Sequence, residues 1–345
     1  YIGMFAFGGC SALEAVTFSA DAKVLSLGEA AFYGTYNVTE FTLEPGSKYL
    51  SVNNGFLYSK DMSKLILAPA GKIANRIVLP ATVKEIGDYA FSYKAGVGTF
   101  VMTGVEVIGK GAFTRSTVRS VTLSDSLKEI GDDAFNTCPY LTSFALPGSL
   151  EEIGDSAFYG CTNIAWGDFT LPASVTEIGE NAFLGNYGIT TVTLPAQLTE
   201  IPYGMFTLCK NLTSVSFGGK VDTIGGYAFR QCENLEEITL PASVTTLGEA
   251  CFAETGLKKI TLPASVEAIP DYCFYGDVSL TDVNVSSAKS VGKFAFFGTS
   301  ALKSLDLANV TELGDYAMVG SAVTSLKAPK LEKIGDYGFY GSEIA

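Results

Sequence analysis

Hydrophobic and polar positions recur along this chain with a period that is mostly 22 or 23 residues. The clearest marker of this period is an Ala-Phe pair, or a close variant of it, which occurs fourteen times. The second residues of these pairs are Phe7, Phe32, Phe91, Phe113, Phe135, Phe158, Phe183, Phe206, Phe229, Phe252, Phe274, Phe296, Met318 and Phe339. A fixed period of this length is typical of solenoids, in which each repeat buries its apolar face against its neighbours.

One interval in this series is irregular. Phe32 and Phe91 are 59 residues apart, which is two periods of 23 residues plus 13 more. The excess lies around residues 45–80, where Phe56-Leu-Tyr58 and Lys64-Leu-Ile-Leu67 flank a polar connection typical of a hairpin. We interpret this segment as a hairpin-like insertion, which is either a projecting contact loop or a hairpin that covers a bend in the stack.

Each repeat contains a segment in which hydrophobic residues alternate with polar ones. In Leu235-Glu-Glu-Ile-Thr-Leu240 this segment is followed directly by Pro241, and similar segments begin at Leu212 and Leu257. Period-two alternation that ends at a proline predicts a β-strand that stops abruptly. We therefore predict one strand per repeat, paired in parallel with strands of the neighbouring repeats about 4.8 Å away.

A turn with the consensus Gly-Asp-x-Ala-Phe follows in most repeats, as at residues 87–91. The glycine is replaced by Pro202 and Pro270 in two repeats, and proline fixes φ near −65° and has no N–H to donate. The position therefore requires a negative φ, which suits the first residue of a helix with an acidic residue beside it. We predict one short helical turn per repeat, with the marker phenylalanines stacked in register as a buried aromatic column.

The string Leu171-Pro-Ala-Ser-Val-Thr-Glu-Ile-Gly-Glu-Asn-Ala-Phe183, with the alternating segment after it, resembles the leucine-rich repeat of the BspA-like bacterial surface antigen family. The similarity covers nearly the whole chain. It implies a right-handed leucine-rich repeat solenoid and a cell-surface or secreted location, and some members of the family bind host or extracellular matrix proteins. One departure from standard leucine-rich repeats is that serine stands where asparagine would follow the strand, as at Ser174 and Ser243, where a hydroxyl can satisfy a backbone group.

Together, the pattern and the resemblance predict an α/β fold. We expect residues 1–345 to form a single, strand-rich, right-handed leucine-rich repeat solenoid of about 14–15 repeats, with one parallel strand and one short helical turn in each. Both ends of the chain fall within a repeat and carry no polar cap. Because solenoid ends need such caps, we expect this chain to be a segment of a longer polypeptide.

Composition narrows the range of functions. The 345 residues include 36 acidic and 23 basic side chains, a net charge of −13 without a basic block, so nucleic acid is not an expected partner. The chain has no histidine, which excludes Ser-His-Asp and Cys-His catalysis and histidine-ligated metals. No apolar run approaches the ~18 residues of a membrane-spanning helix. We expect a non-enzymatic protein that binds no cofactor or metal and does not insert directly into a membrane.

The seven cysteines all lie on repeat positions, which argues against a disulfide framework. Five of them lie three residues after a marker phenylalanine, and Cys251 and Cys273 replace the alanine before one. We interpret them as small hydrophobic residues of the core.

Two groups of residues are candidate partner-binding surfaces. The residues that point outward from the strands, on the predicted concave sheet surface, are mostly β-branched, but the pattern changes near the C-terminal end. There, the chemically varied residues are Glu237, Lys259, Asp282, Asn284, Asp306 and Lys327. They are either a ligand contact or a drift in charge towards the end of the chain.

The second candidate surface is aromatic. Tyr272, Phe294, Tyr316 and Tyr337 each lie two residues before the marker position in four consecutive repeats. If they are partly exposed, they form a stripe suited to contact with a protein or a sugar; if they are buried, they are the outer layer of the core.

The leading functional hypothesis is a non-enzymatic, exported repeat protein that presents an extended surface for adhesion to a host or extracellular matrix protein. The alternatives are a glycan-binding or envelope-attached module and a passive spacer for another domain. The family resemblance supports the leading hypothesis by analogy, because a fold alone does not fix an activity.

Overall fold

The computed structural model describes residues 1–344. In these residues the chain forms short β-strands joined by turns, and no helix occurs. The strands are β1 (Val16–Phe18), β2 (Phe41–Leu43), β3 (Leu50–Asn53), β4 (Phe56–Ser59), β5 (Lys64–Leu67), β6 (Ala74–Val78), β7 (Glu85–Ile86), β8 (Val97–Val101), β9 (Val107–Ile108), β10 (Ser120–Thr122), β11 (Glu129–Ile130), β12 (Glu152–Ile153), β13 (Gly167–Thr170), β14 (Glu177–Ile178), β15 (Ile189–Thr193), β16 (Glu200–Ile201), β17 (Ser214–Ser216), β18 (Thr223–Ile224), β19 (Thr246–Leu247), β20 (Lys259–Thr261), β21 (Ala268–Ile269), β22 (Asp282–Asn284), β23 (Ser290–Val291), β24 (Ser304–Asp306), β25 (Glu312–Leu313), β26 (Ser325–Lys327) and β27 (Lys333–Ile334). Within each of the chain's two compact units, the repeats wind as a strand-rich parallel solenoid, and the chain has about 14 such turns in total.

The chain divides into two compact units. Unit 1 comprises residues 1–165 and 177–182, and unit 2 comprises residues 166–176 and 183–344. Each unit contains two series of strands that pair in parallel between successive repeats.

The first series contains the predicted alternating segments. In unit 2, β15 pairs in parallel with β17, and Val192 lies opposite Val215 while Thr193 lies opposite Ser216. The valine of β15 is buried and the threonine after it is exposed. The predicted parallel pairing of these segments is confirmed in both units.

The second series was not predicted, because the alternating pattern indicated only one strand per repeat. It consists of two-residue strands, most often Glu-Ile, that lie directly before the conserved turn. In unit 1, β11 pairs in parallel with β9 on one side and with β12 on the other. The isoleucines Ile108, Ile130 and Ile153 of these strands are buried. A pair of residues is too short to show alternation, so only the partner strands in neighbouring repeats identify these segments as strands.

The predicted helical turn, and with it the α/β class, is wrong. In an α-helix every N–H donates to the carbonyl four residues earlier. In the turn at residues 87–91 the donors instead alternate: the N–H of Ala90 donates to Gly87 in its own repeat at 3.2 Å, whereas the N–H of Phe91 donates to Ala112 of the next repeat at 2.7 Å. Tyr89 has a φ of +54°, a left-handed conformation that ends a helix. The turn is therefore held partly by hydrogen bonds within its own repeat and partly by hydrogen bonds to the next repeat.

The turn glycine lies outside the left-handed region, as its replacement by proline predicted. Glycine is favoured at this position because the backbone of the preceding repeat lies very close to it. A Cβ atom on Gly154 would lie 2.4 Å from the backbone nitrogen of Asp132 and 2.7 Å from the carbonyl carbon of Gly131. Glycine therefore lets two successive turns lie against each other.

Ten of the thirteen marker phenylalanines form the predicted aromatic column within the two units, which confirms the column for these repeats. We call this set the inner ring column; it comprises Phe91, Phe113, Phe135 and Phe158 in unit 1 and Phe183, Phe206, Phe229, Phe252, Phe274 and Phe296 in unit 2. The rings of Phe113 and Phe135 are 5.0 Å apart and within 3° of parallel. Those of Phe229 and Phe252 are 5.8 Å apart and also within 3°. These rings are buried, and each contributes roughly 2–3 kcal/mol before chain entropy is subtracted.

Six of the seven cysteines are buried and unpaired, and Cys10 is exposed. Their repeat positions predicted small hydrophobic residues of the core, but several of their thiols also donate hydrogen bonds. The Sγ atom of Cys138 lies 3.0 Å from the carbonyl oxygen of Phe113, and that of Cys232 lies 3.2 Å from the carbonyl oxygen of Phe206. In these repeats the position three residues after the marker phenylalanine therefore holds a buried hydrogen-bond donor.

The insertion in unit 1 extends the sheet of short strands. Strand β4 pairs in antiparallel fashion with β3 and β5, and β5 pairs in parallel with β7. Phe56, Leu57 and Tyr58 are buried, while the connection between β4 and β5 is closed by Asp61, whose Oδ1 accepts a hydrogen bond from the N–H of Ser63 at 3.0 Å. Across residues 1–344 there is no helix long and apolar enough to cross a membrane.

Candidate functional site

The predicted charged surface lies on the outward face of the first strand series in unit 2. We call Glu237, Lys259, Asp282, Asn284, Asp306 and Lys327 the strand-face patch; all six residues are exposed. Strands β20 and β22 place Lys259 directly opposite Asp282, and a parallel bridge places Glu237 opposite Lys259. The Nζ atom of Lys259 is 3.0 Å from Oε2 of Glu237. The structure therefore aligns these three residues in one row across three successive repeats.

The other three members lie further along the same face. In β24 and β26, Asp306 lies opposite Lys327, and the Nζ atom of Lys327 is 3.0 Å from Oδ2 of Asp306. This hydrogen bond lowers the pKa of Asp306 below its ordinary value. Asn284 accepts a hydrogen bond from the N–H of Ser286 at 3.1 Å, so its side chain also stabilises the turn after its strand.

An open groove of about 850 Å³ runs along the strand face beside the first row. Glu237, Lys259 and Asp282 contribute to its lining, together with Thr239 and Thr261. The groove thus presents charges of both signs next to short β-branched side chains. Such a surface can form hydrogen bonds and ion pairs with a partner.

The aromatic stripe lies on the turns of unit 2. We call Tyr272, Phe294, Tyr316 and Tyr337 the outer ring column. Their successive ring centroids are 4.9, 4.9 and 5.0 Å apart, with interplanar angles of 7°, 2° and 15°. The first three rings are half-buried, and Tyr337 is 58% exposed. The stripe is therefore partly exposed and is not a buried outer layer of the core.

Every residue of the outer ring column has a left-handed backbone conformation, with φ between +54° and +59°. This backbone conformation was not predicted, although the sequence carries a signal for it. In other repeats the same position holds Gly111, Asp133, Asn181 or Gly204, and Gly, Asp and Asn are the residues that most readily adopt this conformation. The turn therefore fixes the direction of the side chain, whatever residue occupies the position.

The acidic side chains of the repeats do not converge on a point. Within the described part of the chain, no group of three or more Cys, Asp or Glu residues is placed to hold a metal ion. Many acids are paired with a lysine of a neighbouring repeat, as Glu106 is with Lys84 at 3.0 Å and Asp132 with Lys110 at 3.2 Å. Their arrangement is that of a solvated ladder of ion pairs.

Solved structures similar to this chain are bacterial leucine-rich repeat proteins. A leucine-rich repeat protein from Bacteroides ovatus ATCC 8483 is 26% identical, with a TM-score of 0.60 over 85% of this chain and 91% of that one. A leucine-rich cell surface protein from Faecalibacterium prausnitzii A2-165 is 22% identical, with a TM-score of 0.52 over 82% of this chain and 86% of that one. No curated protein sequence matches the chain. The model of the BspA-type leucine-rich repeat region, however, matches residues 1–73, 68–166, 165–281 and 267–345. The chain belongs to the BspA-type leucine-rich repeat family.

Proposed function

We propose that this chain is a non-enzymatic binding scaffold, exposed at a cell surface or secreted, whose strand-face patch holds a protein partner of host or extracellular matrix origin. The observation that carries the proposal is the row Glu237, Lys259 and Asp282 along the open groove. Exposed ion pairs such as Glu237–Lys259 contribute only about 0–1 kcal/mol to stability. Complementary charges, by contrast, strongly affect the specificity and rate of association.

The surface location is supported by similarity. The related structure from Faecalibacterium prausnitzii is named a cell surface protein, and the family is described as BspA-type. The absence of histidine from the chain and the outward, paired arrangement of its acids support a role without catalysis.

A glycan-binding function is the second candidate, and one observation favours it. The outer ring column presents the edges of four stacked aromatic rings at regular spacing, and its last ring, Tyr337, is largely exposed. Aromatic rings with polar tips suit contacts with sugars as well as with proteins.

The two candidates can be separated by screening the whole chain against arrays of purified host and matrix proteins and against a glycan array. A variant that carries both Glu237→Lys and Lys259→Glu keeps an ion pair but reverses its direction. The matched control reverses the Lys84–Glu106 pair of unit 1, which is also exposed and 3.0 Å long.

We expect a protein hit whose affinity falls about tenfold in the first variant and stays unchanged in the control, because about 1.4 kcal/mol of binding energy is lost. Glycan hits without protein hits would replace the proposal with the second candidate. A chain that binds neither would act as a spacer.

A further inference from the structure

From Tyr227 to Tyr337, the outer aromatic positions of unit 2 are interrupted at a single repeat. Two residues before the marker phenylalanine, the sequence of side chains is Tyr227, Ala250 and Tyr272 in three successive repeats. One residue after the marker, the corresponding series is Arg230, Ala253 and Tyr275. The middle repeat therefore has alanine at both outer positions, between repeats that carry large side chains at both.

These two alanines form the floor of a cavity of about 510 Å³, which we call the ring gap. Ala250 and Ala253 are only 3% and 2% exposed, since the flanking side chains rise above them. Tyr227 and Arg230 stand on one side, and Tyr272 and Tyr275 stand on the other.

The two walls of the ring gap are far enough apart to hold one planar group between them. Tyr272 is 4.9 Å from Phe294 and within 7° of parallel, so one face of its ring is covered by Phe294 and the other face is turned towards the gap. Strands of neighbouring repeats are about 4.8 Å apart, so the two walls, which are two repeats apart, are separated by roughly 10 Å. A planar group midway between them would continue the stack at its existing spacing.

Two charged side chains line the gap, Glu249 and Arg230, and the charge of Arg230 is already paired with Glu254 at 3.1 Å. Glu249 lies at its edge and is exposed, and its Oε1 accepts a hydrogen bond from the hydroxyl of Tyr227 at 3.0 Å. The whole chain has a net charge of −13. A cation is therefore favoured over an anion or a neutral ring, because a neutral ring would cover Glu249 without pairing with it.

The chain itself shows which planar cation suits such a position. The guanidinium group of Arg230 lies 5.6 Å from the ring centroid of Tyr227 and forms an ion pair with Glu254 at 3.1 Å. In unit 1, Arg115 lies 5.5 Å from the ring centroid of Tyr93. A guanidinium group stacks on an aromatic face and pairs with a carboxylate at the same time, whereas the ammonium group of lysine is a compact point charge.

We propose that the ring gap binds an arginine side chain of a protein partner, whose guanidinium group stacks on the uncovered face of Tyr272 and pairs with Glu249. The methylene groups of the arginine then lie over Ala250 and Ala253. This inference rests on the proposed protein-binding function for the origin of the arginine, but the site can be tested without that partner.

The test uses the whole chain with tyrosine-selective isotope labels and three blocked tripeptides, Gly-Arg-Gly, Gly-Lys-Gly and Gly-citrulline-Gly. We expect saturable shifts of the Tyr272 and Tyr275 signals with the arginine peptide, and binding about tenfold weaker with each of the others, because only arginine is both planar and charged. Equal binding of the three peptides would overturn the proposal. So would saturable binding of methyl glucoside at the same signals without binding of the arginine peptide.

Two variants locate the site. Ala250→Tyr fills the gap with a residue that already occupies this left-handed position at Tyr227 and Tyr272, and we expect it to abolish the shifts. Glu249→Gln should weaken arginine binding about tenfold by removing the charge. Tyr337→Ala, at the far end of the outer ring column, is the matched control and should bind as the original chain does.

Arginine binding that survives Ala250→Tyr would place it elsewhere and overturn the proposal. If the protein array gives no partner but the peptide titration succeeds, the proposed function fails and the site stands. If a protein partner is found and the three peptides bind equally, the site fails and the proposed function stands.

Discussion

The inner and outer ring columns of unit 2 have similar geometry but different environments. Phe252 and Phe274 of the inner column are 5.9 Å apart and within 9° of parallel, and Tyr272 and Phe294 of the outer column are 4.9 Å apart and within 7°. The inner rings are fully buried, whereas the outer rings are half-buried or exposed. The parallel arrangement therefore follows from the spacing of the repeats, and burial decides how much each ring stabilises the fold.

The backbone supports this distinction. The outer position has a positive φ in each repeat that forms the outer ring column and accepts Gly, Asp, Asn, Ala or an aromatic residue in others. The inner position holds phenylalanine at every marker except Met318. The inner column is thus a requirement of the fold, and the outer position can vary without loss of the turn. That freedom makes the outer position suitable for a binding surface.

The largest expected effect comes from Phe229→Ala in the inner column. Phe229 is 0% exposed and stacks on Phe206 and Phe252, each at 5.8 Å. Its truncation leaves a cavity that cannot close, because hydrogen bonds between the repeats hold the backbone in place. We therefore expect a loss of about 3–5 kcal/mol in the free energy of unfolding. Urea denaturation followed by circular dichroism measures this change. A loss below about 1 kcal/mol would mean that the inner column is not the core.

A smaller effect, of opposite sign, is expected beside the inner column at Asp277. This residue is 0% exposed, and its Oδ1 accepts hydrogen bonds from the N–H of Thr255 at 2.6 Å and from its hydroxyl at 3.1 Å. Its Oδ2 has no hydrogen-bond partner within residues 1–344. Burial raises the pKa of Asp277 well above its ordinary value of 3.8.

Because the folded state binds the proton more tightly than the unfolded state, this carboxyl group favours folding most below pH ~4. Its contribution is lost as the pH rises through the folded-state pKa. Asp277→Asn should therefore stabilise the chain by about 1–3 kcal/mol at pH 7, since it removes the cost of an unsatisfied buried acid, and should change little at pH 4. Asn186 occupies the equivalent position and donates from Nδ2 to the carbonyl of Phe183 at 2.9 Å, so an asparagine fits there.

Urea denaturation at pH 4, 5.5 and 7 measures this difference. The control is Asp306→Asn on the strand face, where the carboxylate is exposed and its pKa is lowered by its hydrogen bond with Lys327. A variant at position 277 that is equally destabilised at all three pH values would contradict the prediction.

The sequence was sufficient for the features that recur with the period. The parallel strands and the inner ring column could be predicted because Phe113, Phe135 and their equivalents occupy the same position in each repeat. The helical turn was wrongly predicted because the sequence Gly-Asp-x-Ala-Phe is compatible both with a helix and with the observed turn, which forms hydrogen bonds to the next repeat. The two differ in where the N–H of Phe91 donates, and its acceptor, Ala112, lies one repeat away.

The candidate site shows the same limit. The row Glu237, Lys259 and Asp282 could be predicted because successive residues of a column are 22 or 23 positions apart. The ring gap was missed, although Ala250 and Ala253 are visible in the sequence. These two alanines lie side by side on the outside of the turn only in the observed backbone conformation. The sequence alone does not show that they are neighbours, so it does not indicate a gap between the flanking side chains.

The smallest effect is expected in the outer ring column, at Tyr316→Ala. Tyr316 stacks on Phe294 at 4.9 Å and on Tyr337 at 5.0 Å, but its ring is only half-buried. Alanine is compatible with the backbone there, because Ala30 and Ala250 have the same left-handed conformation at the equivalent position. The expected loss is about 1 kcal/mol, the order of magnitude of an aromatic pair interaction, when it is measured by the same urea denaturation as for Phe229→Ala. A loss as large as that of the inner variant would show that the outer rings belong to the core, and the outer ring column would then be unavailable for binding.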